Sequence, residues 1–554
     1  MKKLLIALIL VVFTTVNVVL MPSSAYAQSF LANPNVQGVK IKRAIYTRSS
    51  VFSEKGRHDL QSLANALAQM RALACQDSKS WYYQGAIHWT PGLSNFPQTN
   101  SPCEKYTEVA FNDPQQREQV QKLLEAWQHC THGMPDQNLN LPIAPIARQN
   151  FLPWHRLYLV YFEKIVRQIS QDPQFAIPYW DYTKADQRTM PPQFIEYSSL
   201  YTDLRQESLN VLGGEVEPSK QQQIDNDKND AYKTNVFNQP PLNFSNLIEN
   251  SPHGAMHNYI GGDVGDVPNP IWDNEPSPDK VGLMKDVSTA GFDPIFWIHH
   301  SSIDRYWESW QKAPTDPVQT EARRAKPGDL PLPSQVASIY TFADENGNFV
   351  SYTTPQAVID ASYNVDYRYD LLDPDAKLAL RKRVFIKPTE LNARLASPPS
   401  ILAAGENLHQ SLDNLTDVTV PLSTPLQKSP VLLDARTGNA SVGQKEYLLE
   451  VKLSFPKRPV GSYSVYLNLS RNKTISSIIS DIDRYYAGSV NFFDVHGEDA
   501  NSKTFVFDIT EEVNAQLAEL KQPQAQNIQV DFVSDSTGRS EEIYVENITV
   551  RKLA

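Results

Sequence analysis

Residues 292–307 read FDPIFWIHHSSIDRYW. An aspartate followed by a proline is a helix start, the proline sitting where its missing N–H costs nothing. A helix is therefore expected from Asp293, as N-cap, to about Gln311. It carries two adjacent histidines, His299 and His300. Neighbours on a helix point about 100° apart, so only one of them is expected to face a given metal ion. Asp304 lies one turn beyond His300, placed to steady a metal site from behind its ligands. Phe296, Trp297, Tyr306 and Trp307 would wall such a site from water, and the same residues equally describe a well-packed helix.

Upstream, residues 251–257 read SPHGAMH. His253 and His257 are four apart, so on a helix both imidazoles share one face and reach one metal. The zinc-protease version of this pair needs a glutamate after the first histidine, and here that residue is Gly254. Further upstream come His88 in QGAIHW, His132 in CTHG, and His155 in NFLPWHR, in the first turn of a helix expected over Pro153–Ile169. Two more helices are expected over Glu54–Cys75, with Leu60, Leu63, Leu67 and Met70 at helical period, and over Pro114–Gln128. Nine of the eleven histidines precede residue 301, so the chemistry belongs to the helical part. Two sets of three histidines argue for two metals. Imidazole ligation suits copper, zinc, iron or nickel, and ligand type alone does not choose among them.

The chain has 554 residues, more than one core usually serves, with 41% hydrophobic and 20% charged residues. A net charge of −11 argues against a nucleic-acid partner. Residues 1–27 read as a secretory signal: Lys2 and Lys3, an apolar run, then Ala25 and Ala27 at cleavage spacing. Secretion or a periplasmic location is expected, with no membrane association after cleavage. In such a compartment Cys75 and Cys103 are a plausible disulfide, which leaves Cys130 odd. Residues 28–395 are expected as the catalytic domain, 396–442 as a polar linker and 443–554 as a β-sandwich. The sandwich is read from short alternating runs that begin near Tyr447, Tyr463, Thr504, Ile528 and Ile543.

The stretches PWHRLYL (153–159) and DPIFWIHHSSIDR (293–305), in that order, resemble the two copper signatures of the tyrosinase family. That family includes tyrosinases, catechol oxidases and molluscan haemocyanins. The resemblance implies a mainly α catalytic domain on a four-helix bundle, with two copper ions held between its helices. His88, His132 and His155 would hold the first (CuA), and His253, His257 and His300 the second (CuB). His299 and Asp304 would support from outside. The residue at the family's usual spacing before His155 is Ile146, which cannot ligate, so His132 is preferred, with an insertion around Pro135–Gln149. Some relatives join a cysteine two residues before that ligand to its ring, which implies a thioether between Cys130 and His132.

The implied activity is oxidation of o-diphenols to o-quinones with O2. Glu249 would hold a water that accepts the phenol proton. Gly254 stands where monophenol hydroxylases often carry asparagine, which favours diphenols. Val287 stands where plant enzymes often place a bulky phenylalanine, which implies an open entrance. An oxygen carrier of the haemocyanin kind and a non-catalytic binding protein are the alternatives. Residues 485–496, YYAGSVNFFDVH, resemble the tail domain that shields plant-type polyphenol oxidases until cleavage. The same shielding is expected here, with a nick between about residues 380 and 440.

Overall fold

A computed structural model describes residues 45–90, 112–130, 151–238, 242–262, 282–330, 340–382, 400–427, 446–456, 461–469, 474–493, 501–519, 524–535 and 542–553, with single residues 103, 132, 459 and 495. The expected signal stretch, Thr131 and the expected insertion at 135–149 lie outside the described residues. Helix α1 (Glu54–Met70) starts at Ser53, whose side chain accepts from the Gly56 amide at 2.9 Å. It buries Leu60, Leu63, Leu67 and Met70 on one side. It stops a turn short of Cys75, which is in a disulfide with Cys103, 28 residues on. Helix α2 (Trp81–Ala86) is capped by Ser80 in the same way. Helices α3 (Arg117–Gln128), α4 (Phe151–Ser170), α5 (Pro218–Lys233), α6 (Ala255–Ile260) and α7 (Ile295–Lys312) follow.

The four-helix bundle centres on α4, which packs on both α1 and α7. The turn Glu249–Gly254, which leads into α6, packs against α7. That turn is π-type and broken at Ser251 (φ −154°, ψ 134°), next to Pro252, which has no N–H to continue a helix. Helix α7 begins at Ile295, and the Asp293 carboxylate still accepts from its amide at 3.0 Å.

Buried ion pairs fix the rotation of α7. Asp304 accepts from Arg156 of α4 at 2.5 Å and from Arg48 at 3.0 Å. Tyr367 and Tyr369 donate to the same carboxylate at 2.5 and 2.7 Å. Arg48 also meets Glu163 at 2.8 Å, and it sits on strand β1 (Tyr46–Arg48), which pairs in parallel with Tyr367–Tyr369. Burial alone would raise the Asp304 pKa, but the Arg156 and Arg48 guanidiniums hold it below the ordinary carboxylate range. Just before the start of α7, Asp293 binds Arg205 at 2.6 Å, with both side chains fully buried. Charges this deep are tolerated only because every one is paired.

The C-terminal part is an antiparallel sandwich. After β1, two short strands pair as a hairpin, β2 (Tyr340–Ala343) and β3 (Phe349–Tyr352), and β4 is Tyr367–Tyr369. The sandwich strands are β5 (Ser400–Gly405), β6 (Gln410–Ser411), β7 (Leu415–Gln427), β8 (Glu446–Ser454), β9 (Ser462–Asn468), β10 (Tyr486–Asn491), β11 (Ser502–Asp508), β12 (Gln524–Ser534) and β13 (Tyr544–Leu553). One layer runs β10-β9-β12-β7 and the other β5-β13-β8-β11; they join where Ala403 meets Leu422. Each run expected from residue 446 onward is a strand. The expected linker differs: it supplies β5, β6 and β7. In β7 the inward positions are Thr416, Val418 and Val420, while Leu415 faces outward. A threonine inside and a leucine outside blur the alternation, so the strand reads as polar coil. Residues 396–399 and 428–442 lie outside the described residues. No helix among the described residues is long and apolar enough to cross a membrane.

Candidate metal centre

The bundle brings the histidines of the two sequence clusters together in its core. His155, in the first turns of α4, and His300, on α7, stack with ring centroids 4.1 Å apart. His88, just past α2, lies 5.3 Å from His155 and 6.1 Å from His300. His253 and His257, across the π-type turn, are 4.6 Å apart, and His253 lies 5.0 Å from His300. All five rings are buried.

Four of these rings have a fixed tautomer. His88 Nδ1 faces the Val287 carbonyl at 2.9 Å, and His155 Nδ1 the Phe151 carbonyl at 2.8 Å. His253 Nδ1 faces the Glu249 carbonyl at 3.0 Å, and His257 Nδ1 the Met284 carbonyl at 2.9 Å. A carbonyl only accepts, so each Nδ1 carries the proton. Each neutral ring then presents its Nε2 lone pair, the form a metal takes. Burial keeps the rings neutral, holding His88 down to about 4 and His132 to about 3. His155, His257, His299 and His300 are held well below the usual range for the same reason.

The donor set fits metal. His88, His155 and His300 offer nitrogens within 4.8 Å of one another, and so do His253, His257, His299 and His300. Nε2 of His257 and Nε2 of His300 are 3.3 Å apart. Two nitrogens bound tetrahedrally at about 2.0–2.1 Å sit at about that spacing. Buried ring nitrogens of His132, His155, His299 and His300 have no hydrogen-bond partner among the described residues.

His132 lies beside this group, its ring 5.5 Å from His155 and 6.5 Å from His88, tilted against Trp154 at 4.5 Å. Its amide donates to the Ile87 carbonyl at 2.8 Å, which ties it to the turn that carries His88. His299, expected outside the ligand set, stands closer: its ring is 4.7 Å from His257, with Nδ1 3.0 Å from the Tyr182 hydroxyl. Asp304, expected to support the site, bonds to Arg156, the residue after His155. Cys130 is buried, and burial pushes its thiol up to about 12. Glu249 and Val287 each contribute a carbonyl to a histidine, the contribution that only the folded backbone reveals.

Aromatic side chains enclose the group. Phe296 lies edge-on to His88 at 4.7 Å and near His300 at 4.2 Å, between the two sets. Phe151 covers His253 at 4.4 Å. The remaining wall comes from the sandwich: Phe493 stacks on His257 at 4.0 Å and meets His253 edge-on at 5.4 Å. It is 3% exposed. Sequence reasoning did not single out Phe493, although it lies inside the stretch 485–496. Next to it a cleft between the helical part and the sandwich is lined by Glu249, Asn250, Lys503, Phe505 and Phe507.

A model of the common central domain of tyrosinase matches residues 78–243 and 215–313. Polyphenol oxidase E of Solanum lycopersicum, a chloroplastic protein by its name, is 26% identical over 435 residues, covering 72% of this chain and 65% of its own. Catechol oxidase B of Solanum tuberosum, also chloroplastic by its name, is 28% identical over 398 residues, covering 65% of this chain and 59% of its own. The matched part thus spans less than two thirds of either relative. Among solved structures, a latent aurone synthase (polyphenol oxidase) shares the fold over 94% of this chain and 91% of its own, with a TM-score of 0.54 and 19% identity.

Proposed function

The chain belongs to the tyrosinase and polyphenol oxidase family of type 3 dicopper proteins, and from that premise we propose that it oxidises o-diphenols to o-quinones with O2. The observation that carries this reading is the convergence of buried, neutral imidazoles from two separated stretches of chain, with Nε2 presented by backbone bonds at Nδ1. His88, His132 and His155 would hold one copper, and His253, His257 and His300 the other. Bound copper supplies the electron transfer to O2, two catechols giving four electrons and four protons as one O2 becomes water.

The chain's own groups do the rest. The Nδ1 bonds keep the rings oriented, and Phe151, Phe296 and Trp154 keep bulk water away. Glu249 is assigned the water that takes the phenol proton. Gly254 offers no side chain to orient that water, which favours diphenols, whose first proton is more acidic. Val287, a small side chain beside His88, leaves the entrance open. A thioether between Cys130 and His132 is part of the proposal, readable as a loss of 2 Da in the intact mass. So is secretion, on the strength of residues 1–27. The sandwich serves as a shield, supported by Phe493 on the histidines of the second set.

The test is copper content together with catechol turnover, before and after limited proteolysis. Two coppers per chain and catechol oxidation that rises on trimming are expected. One metal per chain, or two coppers with reversible O2 binding and no turnover of any phenol, would sink the reading.

A further inference from the structure

Gly254 follows His253 directly, and its missing side chain leaves a space that the sandwich fills. A Cβ on Gly254 would lie 2.4 Å from Oδ1 of Asn491, 2.9 Å from its Cγ and 3.0 Å from its Nδ2. Contacts that short force something to move. Asn491 is not free to do so: it is 1% exposed and held on two sides. Its Nδ2 donates to the Asn250 backbone carbonyl and to the Asn250 side-chain oxygen at 2.9 Å. Its Oδ1 accepts from the Phe493 amide at 3.3 Å. Asn250 in turn donates to the Ser489 carbonyl at 2.6 Å. The amide pair therefore welds the end of β10 to the turn that carries His253, and the same Asn491 oxygen positions the residue that stacks on His257.

We propose that Gly254 is the seat of Asn491, so that a side chain at position 254 and a closed sandwich exclude each other. This deepens the shielding reading and rests on it. Position 254 then acts twice, once on the phenol and once on closure. A chain with asparagine there, the residue expected of a monophenol hydroxylase, cannot dock this sandwich as the structure docks it. Loss of the shield and a change of substrate would travel together in one substitution. Asn491 is a positioning residue in this scheme, since it acts through Phe493 and the turn.

The test uses the full-length, copper-loaded chain with Gly254→Ala, Asn491→Ala and the pair of substitutions together. Carbene labelling of the peptide that spans 486–493 reports whether this edge is covered, and no substrate or turnover enters the readout. Each single variant should raise that labelling at least threefold, and the double should not exceed the larger single, because both break one contact. Labelling of β12 should stay at the parent level, which shows the sandwich folded. Parent-like labelling in Gly254→Ala overturns the inference, and so do additive effects in the double. Should Gly254→Ala fail to fold, Asn491→Ala decides alone, with parent-like labelling counting against. Because labelling is read without a phenol, failure here is distinct from failure of the oxidase reading.

Discussion

Replacing Phe493 by alanine should unmask catechol oxidation in the uncut chain. The side chain is 3% exposed, and its ring stacks on His257 at 4.0 Å. Burying a phenylalanine is worth roughly 1.5–3 kcal/mol, and an aromatic stack adds about 0.5–1.5 kcal/mol. Alanine keeps a fraction of this, so the docked state should weaken by about 2–3 kcal/mol. At about 1.4 kcal/mol per tenfold, the undocked population rises roughly 30- to 150-fold. The rest of the interface stays: Lys220 still meets Asp535 at 2.7 Å, and Lys233 still meets Glu511 at 3.0 Å. The sandwich should therefore remain attached while its edge opens more often. The assay is initial catechol oxidation by uncut protein, normalised to the same sample after trimming. Parent-like turnover in uncut Phe493→Ala, with a trimmed sample that is fully active, would refute the shielding argument.

Asp304→Asn should lower urea-unfolding stability by about 2–4 kcal/mol, because Arg48 and Arg156 lose the carboxylate they share and are left with one carboxylate partner each, Glu163 and Glu308; a loss under about 1 kcal/mol would show that the network does not hold α7. Asp227, on α5, accepts from Ser251, Ser489 and Tyr486, and burial pushes it up to about 7. A raised carboxyl binds more protons folded than unfolded, so it costs stability progressively as pH rises from about 4 to about 7. The advantage of Asp227→Asn over the parent should grow across that window and level off above it; a constant difference in urea midpoints would contradict the assignment. Replacing Cys75 and Cys103 by serine should cost about 3.5 kcal/mol, from loop entropy over 28 residues. Reduction that leaves the thermal midpoint unchanged would show that this loop is held by other means.

The helical part and its histidines were legible for a physical reason. Histidine is rare and chemically specific, and several candidates came with a local signal, such as the i, i+4 pair at His253 and His257 or the Asp-Pro start of α7, whereas His88 and His132 were placed by the resemblance to the family's copper signatures. What stayed hidden were partners without a side-chain signature. The carbonyls of Phe151, Glu249, Met284 and Val287 fix the tautomers of four rings, and any residue type could supply them. Phe493 is one aromatic among many until the sandwich closes. Strand β7 was lost because Thr416 faces in and Leu415 faces out, against the pattern that marks a strand. The closeness of His299 to His257 was also illegible, since a helix at 100° per residue sends adjacent rings apart. The rings do diverge, 79° between planes, yet His257 and His253 arrive from another segment and bracket them both.

The ion pairs and the imidazoles answer one another energetically. Ring nitrogens of His132, His155, His299 and His300 lie buried without a hydrogen-bond partner among the described residues. Each such group costs about 1–3 kcal/mol against a satisfied one. A bundle held by apolar packing alone could relieve that cost by letting α4 and α7 slide until the rings found water. Arg156 and Arg48 on Asp304, and Arg205 on Asp293, pin α7 at its middle and at its start and block the slide. Phe493 packs over His257 and His253 from the sandwich side. The nitrogens that converge, those of His88, His155 and His300 and those of His253, His257, His299 and His300, are thus held close together in the core. Burial there keeps protons from competing for His88, His155, His257, His299 and His300 near pH 7. A metal ion is the kind of partner that such clusters can hold, so the rigidity of the scaffold is what would turn these ordinary side chains into a preorganised site.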